Sequence, residues 1–318
     1  MSVPIPFTKM VGTGNDFLIV EAVHGRCGLL KTAWPKLATA MCDRRYGVGA
    51  DGLLVLEPSK AADCRMRILN PDGSEAEMCG NGARCVASYV KRAYGVGGRG
   101  HGRGREGAVT IETQAGVLTA RVYGNRVAMR MPTPRSLRLD LRVEAGRQSW
   151  RLAYVDTGVP HAVVVVDGLD DVDVEGVGRQ IRRHRFFQPR GANVDFIEAH
   201  PRRPHRLRIR TYERGVEGET LACGTGVTAA AVVHALGGVN GRKHVDGSSS
   251  HQIEVETKSG EVLNVSLTVA GRGRAARVTD VRLEGAVQWV CEGVFLWSRP
   301  PHPAVHNDAH DDRRRKES

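Results

Sequence analysis

The chain of 318 residues contains no run of about 18 apolar residues, and no basic amino-terminal segment leads into an apolar one. Neither membrane insertion nor export is expected. A disulfide framework is missing too: the seven cysteines are odd in number and lack the regular spacing of a cross-linked scaffold. Free thiols in a cytoplasmic protein are the expectation.

Apolar residues are almost absent from two stretches. Gly95 to Gly107, "GVGGRGHGRGREG", holds one valine, and Arg299 to Ser318, "RPPHPAVHNDAHDDRRRKES", is dominated by proline, histidine and charge. Such segments bury too little to order themselves, so the first is expected to be a solvated loop and the second a disordered tail. A net charge of +11 and a pI near 9.6 invite a nucleic-acid partner, and an RGG-like RNA contact is the alternative reading of the loop. Part of that basicity sits in these two stretches, however, and no nucleic-acid or membrane partner is expected.

What is present is a duplication. At an offset of 144, Cys79 falls on Cys223, Gly80 on Gly224 and Gly82 on Gly226; Glu112, Thr113 and Gly116 fall on Glu256, Thr257 and Gly260. The register holds upstream, where Thr13-Gly14 meets Thr157-Gly158 and Asp51 meets Asp195, over roughly a hundred positions. Length alone favours two domains, and the repeat agrees.

"VTIETQAGVLTARVYG" and "HQIEVETKSGEVLNVSLTV" alternate apolar and polar residues around a glycine-containing turn, which predicts a hairpin in each half. "AVVVV" (Ala162 to Val166) suits a strand buried on both faces, and "PKLATAMCDRRYG" predicts a helix with Pro35 in its first turn. The alanine-rich segments after Gly82 and Gly226 predict two more helices, the second stopped at Gly237-Gly238 and apolar on nearly every side. Each repeat reads as strand, strand, loop with Cys-Gly-x-Gly, helix, hairpin. The fold class is therefore mixed α/β: two pseudo-symmetric domains, each a sheet wrapped around a central helix, with a cleft between them. The expected boundaries are 1–123 plus 285–298 for the first, 124–284 for the second and 299–318 for the tail.

A free thiol is only about 3 % ionised at neutral pH, so a cysteine acting as a base needs help. A helix amino terminus supplies unpaired NH groups and a partial positive charge, which are expected to lower the thiol pKa and to hold a carboxylate. One such cysteine would suggest a nucleophile, or simply a buried structural thiol. Two in equivalent places suggest opposed partners around a small substrate, one removing a proton from carbon and the other returning one to the opposite face. Such a stereoinversion asks for no metal, pyridoxal or other cofactor. Cys27, Cys42, Cys64, Cys85 and Cys291 have no comparable setting and are expected to be structural.

With these motifs in view, the chain resembles the diaminopimelate epimerase family. "GTGNDF" (Gly12 to Phe17), "DRRYGVGADG" (Asp43 to Gly52), "NPDGSEAEMCGNGARC" (Asn70 to Cys85), "GVPH" (Gly158 to His161), "NVDF" (Asn193 to Phe196) and "YERGVEGETLACGTG" (Tyr212 to Gly226) occur in that family's order. The resemblance implies cofactor-independent interconversion of LL- and meso-diaminopimelate, serving lysine and peptidoglycan precursor synthesis, in a homodimer whose last strand (around Val287 to Phe295) crosses back to the first domain. It implies Cys79 and Cys223 as the acid/base pair, with Gly80, Asn81, Gly224 and Thr225 on the carboxylate and amine of the reacting centre. Asn15, Asn70, Asn193, Glu213 and Arg214 would read the distal end, and His161 would stand beside the catalytic centre.

The residue types suit those tasks, since arginine grips carboxylates, glutamate takes an ammonium and amides serve either. Each has a plainer alternative: Asn70 as a turn residue, Asn15 as a cap, Glu213-Arg214 as a surface ion pair, His161 as a packed loop histidine. The chain departs from the family pattern at Val159 and Gly52, which stand where asparagine and glutamine are common, and by one extra residue between Arg214 and Cys223. Rival readings are a related racemase of histidine, proline or hydroxyproline and, from another class, a non-catalytic RNA-binding protein. The proline-type enzymes carry histidine where Asn81 stands.

Overall fold

The computed structural model describes residues 2–22, 31–95, 108–146, 148–238, 248–271 and 276–298; Cys27, residues 96–107 of the Arg/Gly-rich stretch and the tail lie outside the described residues. The first half runs β1 (Ser2–Gly12), β2 (Asn15–Glu21), α1 (Trp34–Cys42), β3 (Gly52–Glu57), β4 (Cys64–Leu69), β5 (Glu75–Ala76), α2 (Gly80–Tyr94), β6 (Ala108–Thr113), β7 (Gly116–Tyr123) and β8 (Arg126–Arg130). The second runs β9 (Arg135–Ala145), β10 (Gln148–Asp156), β11 (Pro160–Val165), α3 (Val174–Arg182), β12 (Asn193–Ala199), β13 (Arg206–Glu213), β14 (Gly218–Thr220), α4 (Gly224–Ala235), β15 (Ser248–Glu256), β16 (Val262–Ala270) and β17 (Arg277–Ala286), before β18 (Gln288–Ser298). Both hairpins and the three expected helices are present; the Ala162 to Val166 run forms the end of β11 and is buried on both faces only through Val164, since Val165 is exposed. The helix α3 and most of the short strands had no expectation: "DVEGVGRQIRR" carries two glycines that weaken helix preference, although Val174, Val177 and Ile181 recur at helical spacing.

Strand pairing follows the order β18–β1–β2–β3–β4–β6–β7–β8–β17–β16–β15–β13–β12–β11–β10–β9. That order is a palindrome in the repeat. The parallel pairs are β2–β3, β4–β6, β11–β12 and β13–β15, and each is bridged by one helix, as parallel neighbours require. The halves meet at the antiparallel pair β8–β17, where Ala128 faces Glu284, and Arg126 pairs with Glu284. Two exchanges of chain complete the plan: β8 leads into β9, which pairs β10, and β17 leads into β18, which pairs β1.

Alternation along the strands sorts side chains between two cores. In β3, Leu53 and Val55 pack with α1, while Leu54 and Leu56 pack with α2, so all six residues are buried. In β11, Ala162 and Val164 face the α3 side, and Val163 faces α4. The sheet of each half thus has one helix outside and curls around the other. Enclosure explains why α4 is apolar on all sides. Buried among strands, α2 exposes only Arg92 and Ala93 in its last turn and α4 exposes no residue, and the two helices touch.

Candidate active site

The two cysteines occupy the same place in the two central helices. Cys79 caps α2, and its Sγ lies 3.5 Å from the donating NH of Gly82; Cys223 caps α4, and its Sγ lies 3.3 Å from Thr225 Oγ1. The helices start at Gly80 and Gly224, three residues before the alanine-rich segments begin, because extended backbone at each cysteine lets its carbonyl accept the first intrahelical bond, from Ala83 and from Val227. Packing acts at the fourth motif position: a Cβ on Gly226 would stand 2.4 Å from Asp195 Oδ1, which demands glycine, and one on Gly82 would stand a tight 3.1 Å from Leu54 Cδ2. No protein atom would meet a Cβ on Gly80, whereas one on Gly224 would touch Leu283 at 3.0 Å.

Beside Cys79 a chain of polar groups runs inward. Asp51 Oδ2 accepts from Asn15 Nδ2 at 3.0 Å, Asn15 Oδ1 accepts from Asn81 Nδ2 at 2.7 Å, and Asn81 Oδ1 accepts from Arg84 Nη2 at 2.8 Å. The same Nη2 donates to Thr13 Oγ1. Both amides are oriented by these bonds, so Asn15 is no helix cap, and each retains one free N–H.

Beside Cys223 the equivalent positions hold other chemistry. His161 Nδ1 is 2.7 Å from Asp195 Oδ2, its Nε2 is 3.4 Å from Asn193 Nδ2, and Asp195 Oδ1 accepts from Thr211 Oγ1 at 2.8 Å. A proton on Nδ1 satisfies both ends of the imidazole. Asn193 Oδ1 accepts from the backbone NH of Arg214 at 2.8 Å, and Thr157 Oγ1 donates to the Thr225 carbonyl at 3.0 Å. His161 is fully buried in this network and is a strand residue of β11, not a loop one.

The expectation that the helix starts depress both thiols is overturned. Burial pushes both thiols up, and the Gly82 and Asn81 NH groups at Cys79, or Thr225 and Gly226 at Cys223, recover only part of that effect. Partial charges in a helix's first turn are worth less than the loss of water around a thiolate. The surroundings differ in sign. The Arg84 cation favours the Cys79 thiolate, while Glu213 and Asp195 both oppose the Cys223 one. Glu213 raises both thiols, so one carboxylate lies within electrostatic reach of the two sulfurs; burial holds its own pKa up.

Of the distal candidates, the structure brings Glu213, Arg214 and Asn193 together at the end of β13. Neither Glu213 nor Arg214 takes part in an ion pair among the described residues, so the surface-pair alternative is not realised. Asn70 sits in the exposed turn after β4, where its Nδ2 donates to Ser74 Oγ at 2.9 Å and Gly73 takes a φ of 85°. The turn role is real for Asn70, and its Oδ1 is left over. At Gly52 a Cβ would stand a tight 3.2 Å from the Leu69 carbonyl and in ordinary contact with Phe17, so the departure there fits the neighbouring backbone. Val159 is half-buried after Gly158, and its carbonyl accepts from Thr157 NH at 3.2 Å.

Of the other cysteines, Cys42, Cys64 and Cys85 are buried, as structural thiols should be. Cys291 is exposed on β18 and does not fit that expectation, since it faces outward from the strand that closes the first half. Among the described residues no three His, Cys, Asp or Glu side chains are grouped to hold a metal, and no helix is long and apolar enough to cross a membrane, which leaves strand-built spans untouched. Sequence reasoning missed Arg84, Asp195, Asp51, Thr13 and Thr157 as site residues. The last four carried a signal, since they coincide under the shift of 144; Arg84 falls on Thr228 and carried none.

The diaminopimelate epimerase profile matches residues 7–136 and 153–278, one segment on each half of the repeat. The chain is similar to the diaminopimelate epimerase of Chlorobaculum tepidum, 40 % identical over 289 residues that cover 90 % of this chain and 99 % of that one. It is also similar to that of Methanothrix thermoacetophila, 37 % identical over 302 residues covering 91 % and 95 %. Among solved structures it shares its fold with a phenazine biosynthesis protein of the PhzF family from Bacillus anthracis, with a TM-score of 0.63, 18 % identity and coverage of 93 % and 100 %. A hydroxyproline epimerase from Agrobacterium vitis has a TM-score of 0.57 at 17 % identity, covering 93 % and 94 %. With both halves matched and two near-full-length relatives, the chain belongs to the diaminopimelate epimerase family of isomerases.

Proposed function

We propose that this chain interconverts LL- and meso-diaminopimelate with Cys79 and Cys223 as a proton-transferring pair and no cofactor. The observation that carries the reading is that two cysteines cap two touching helices, with Glu213 within reach of both sulfurs. One thiolate takes the hydrogen from the α-carbon as a proton. The other thiol delivers its proton to the opposite face, so the carbon is inverted and the two sulfurs have exchanged charge. NH groups at Gly80, Asn81, Gly224 and Thr225 hold the α-carboxylate and amine and stabilise the charge that spreads onto the carboxylate, an effect worth about a hundredfold or more per donor. Positioned acid and base contribute roughly 10²–10⁴-fold in addition.

Asn15, Asn70, Asn193, Glu213 and Arg214 read the distal amino-acid end, with Arg214 held by its backbone bond to Asn193. His161 locks Asn193 in place from below. Incubation with LL-diaminopimelate in deuterium oxide tests substrate, reaction and cofactor independence together: meso product with deuterium at one α-carbon is expected from metal-chelated protein. Exchange with histidine or hydroxyproline and none with diaminopimelate would overturn the substrate assignment.

The chain acts as a homodimer in this reading, through the outer face of β1 and β18. Pro4 faces Leu296 and Pro6 faces Val294 across that pair, and Val294 and Leu296 are 57 % and 66 % exposed. Contiguous exposed apolar surface of this kind marks an association site. Leu296→Asp should turn a dimer into a monomer in sedimentation; a monomeric parent protein would refute the idea.

A further inference from the structure

The two thiols have unequal surroundings, and the inequality has one conspicuous source. Arg84 is fully buried in α2, yet no carboxylate pairs with it among the described residues. Its Nη2 alone is bonded, to Thr13 Oγ1 and Asn81 Oδ1, while Nε and Nη1 have no partner. From the other half β17 closes over it: a Cβ on Gly285 would stand 3.1 Å from Nε and 3.3 Å from Cζ. Helical side chains lean toward the amino terminus, and the bond to Asn81, three residues back, shows that Arg84 does so, toward the turn that Cys79 caps.

An arginine does not shed its proton in a protein, and a buried cation without a counter-ion is costly. The charged or ionisable groups that act on Arg84 are Cys85, Cys79 and, as the one carboxylate, Glu261, which instead accepts from Gly14 NH at 3.1 Å. Cys85 is enclosed beside Gly12, and burial pushes its thiol up to about 12. Cys79 alone combines the cation with two donating NH groups. At Cys223 the facing charges are Glu213 and Asp195, and the residue in Arg84's place is Thr228, whose hydroxyl is spent on the Gly224 carbonyl at 2.9 Å.

We propose that Arg84 is a positioning residue that decides which sulfur gives up its proton first: clamped beneath Gly285 and bonded to Asn81 and Thr13, its guanidinium makes Cys79 the more readily ionised of the pair and leaves Cys223 as the proton donor. The proposal rests on the two-cysteine reading and adds a direction to it. A turnover that starts at Cys79 ends with Cys79 protonated and Cys223 ionised among carboxylates. Loss of a proton from Cys79 and gain of one by Cys223 must then restore the resting state, so the two directions of the reaction start from unequal populations.

The test is the pH dependence of iodoacetamide alkylation at each cysteine, followed by peptide mass spectrometry, with each profile normalised to its own plateau. In the wild-type protein Cys79 should reach half-plateau at least one pH unit below Cys223. In Arg84→Met, a neutral side chain of similar length, the Cys79 profile should move up by roughly one to three units, as loss of a nearby opposite charge implies, with Cys223 unmoved. Arg84→Lys should fall between the two. A wild-type profile in which Cys223 ionises first, or a folded Arg84→Met with Cys79 unmoved, overturns the proposal. If Arg84→Met does not fold, the wild-type order and Arg84→Lys decide. Alkylation needs no turnover, so substantial epimerisation by Cys79→Ala would sink the two-cysteine reading without touching this order.

Discussion

His161 Nδ1 lies 2.7 Å from Asp195 Oδ2 with both side chains fully buried, whereas the same positions of the first half hold Phe17 and Asp51. One scaffold therefore carries two different electrostatic linings. Asp195 also accepts from Thr211 and fills the space that a Cβ on Gly226 would need.

Removing that carboxylate strands two buried donors. Asp195→Ala should destabilise the protein by about 3 kcal/mol, in the range measured for one-sided loss of buried charged partners. Urea unfolding measures it. A loss below about 1 kcal/mol would mean that water or a shifted His161 replaces the carboxylate easily.

Cys79→Ala and Cys223→Ala should each lower kcat by more than about a hundredfold while leaving the circular-dichroism spectrum intact, since each removes the proton carrier on one face. The double variant should be little worse than either single one, because members of one catalytic unit do not act independently. Multiplying losses would contradict the pair.

Arg214→Ala should raise KM for diaminopimelate by roughly tenfold to a hundredfold, the worth of a charge-assisted contact of about 1.5–3 kcal/mol. Any residual exchange on an amino acid with a single carboxylate should change far less. Equal losses on both would place Arg214 at the reacting centre and not at the distal end.

The Cys64 and Cys85 thiols are pushed by burial from about 9 up to about 12. A group that holds its proton more tightly when folded contributes stability that is whole below its unfolded pKa and is lost as pH rises through the folded one. The urea midpoint should therefore fall steadily from about pH 9 toward about pH 12, and Cys85→Ala should flatten that slope. A midpoint independent of pH across that window would show that these thiols ionise without cost.

Much was legible in the chain because duplication leaves a periodic trace. The offset that superposes Cys79 on Cys223 also superposes Thr13 on Thr157 and Asp51 on Asp195, and all six residues lie in the two linings. Alternation along "VTIETQAGVLTARVYG" settled one hairpin, since period-two burial is a local property. The α3 helix was illegible for the opposite reason: its two glycines weaken local preference, and packing against β12 and β13 stabilises it.

The sequence by itself determined the repeat, the identity of the two cysteines and their placement at helix starts, because glycine, alanine and cysteine act there through short-range backbone geometry. Only the tertiary structure decided the ionisation of those cysteines. Burial, Arg84 beneath a glycine of β17, and Asp195 and Glu213 around Cys223 come from segments far apart in the chain, and electrostatic energy depends on distance through space and on exclusion of water, neither of which is written locally.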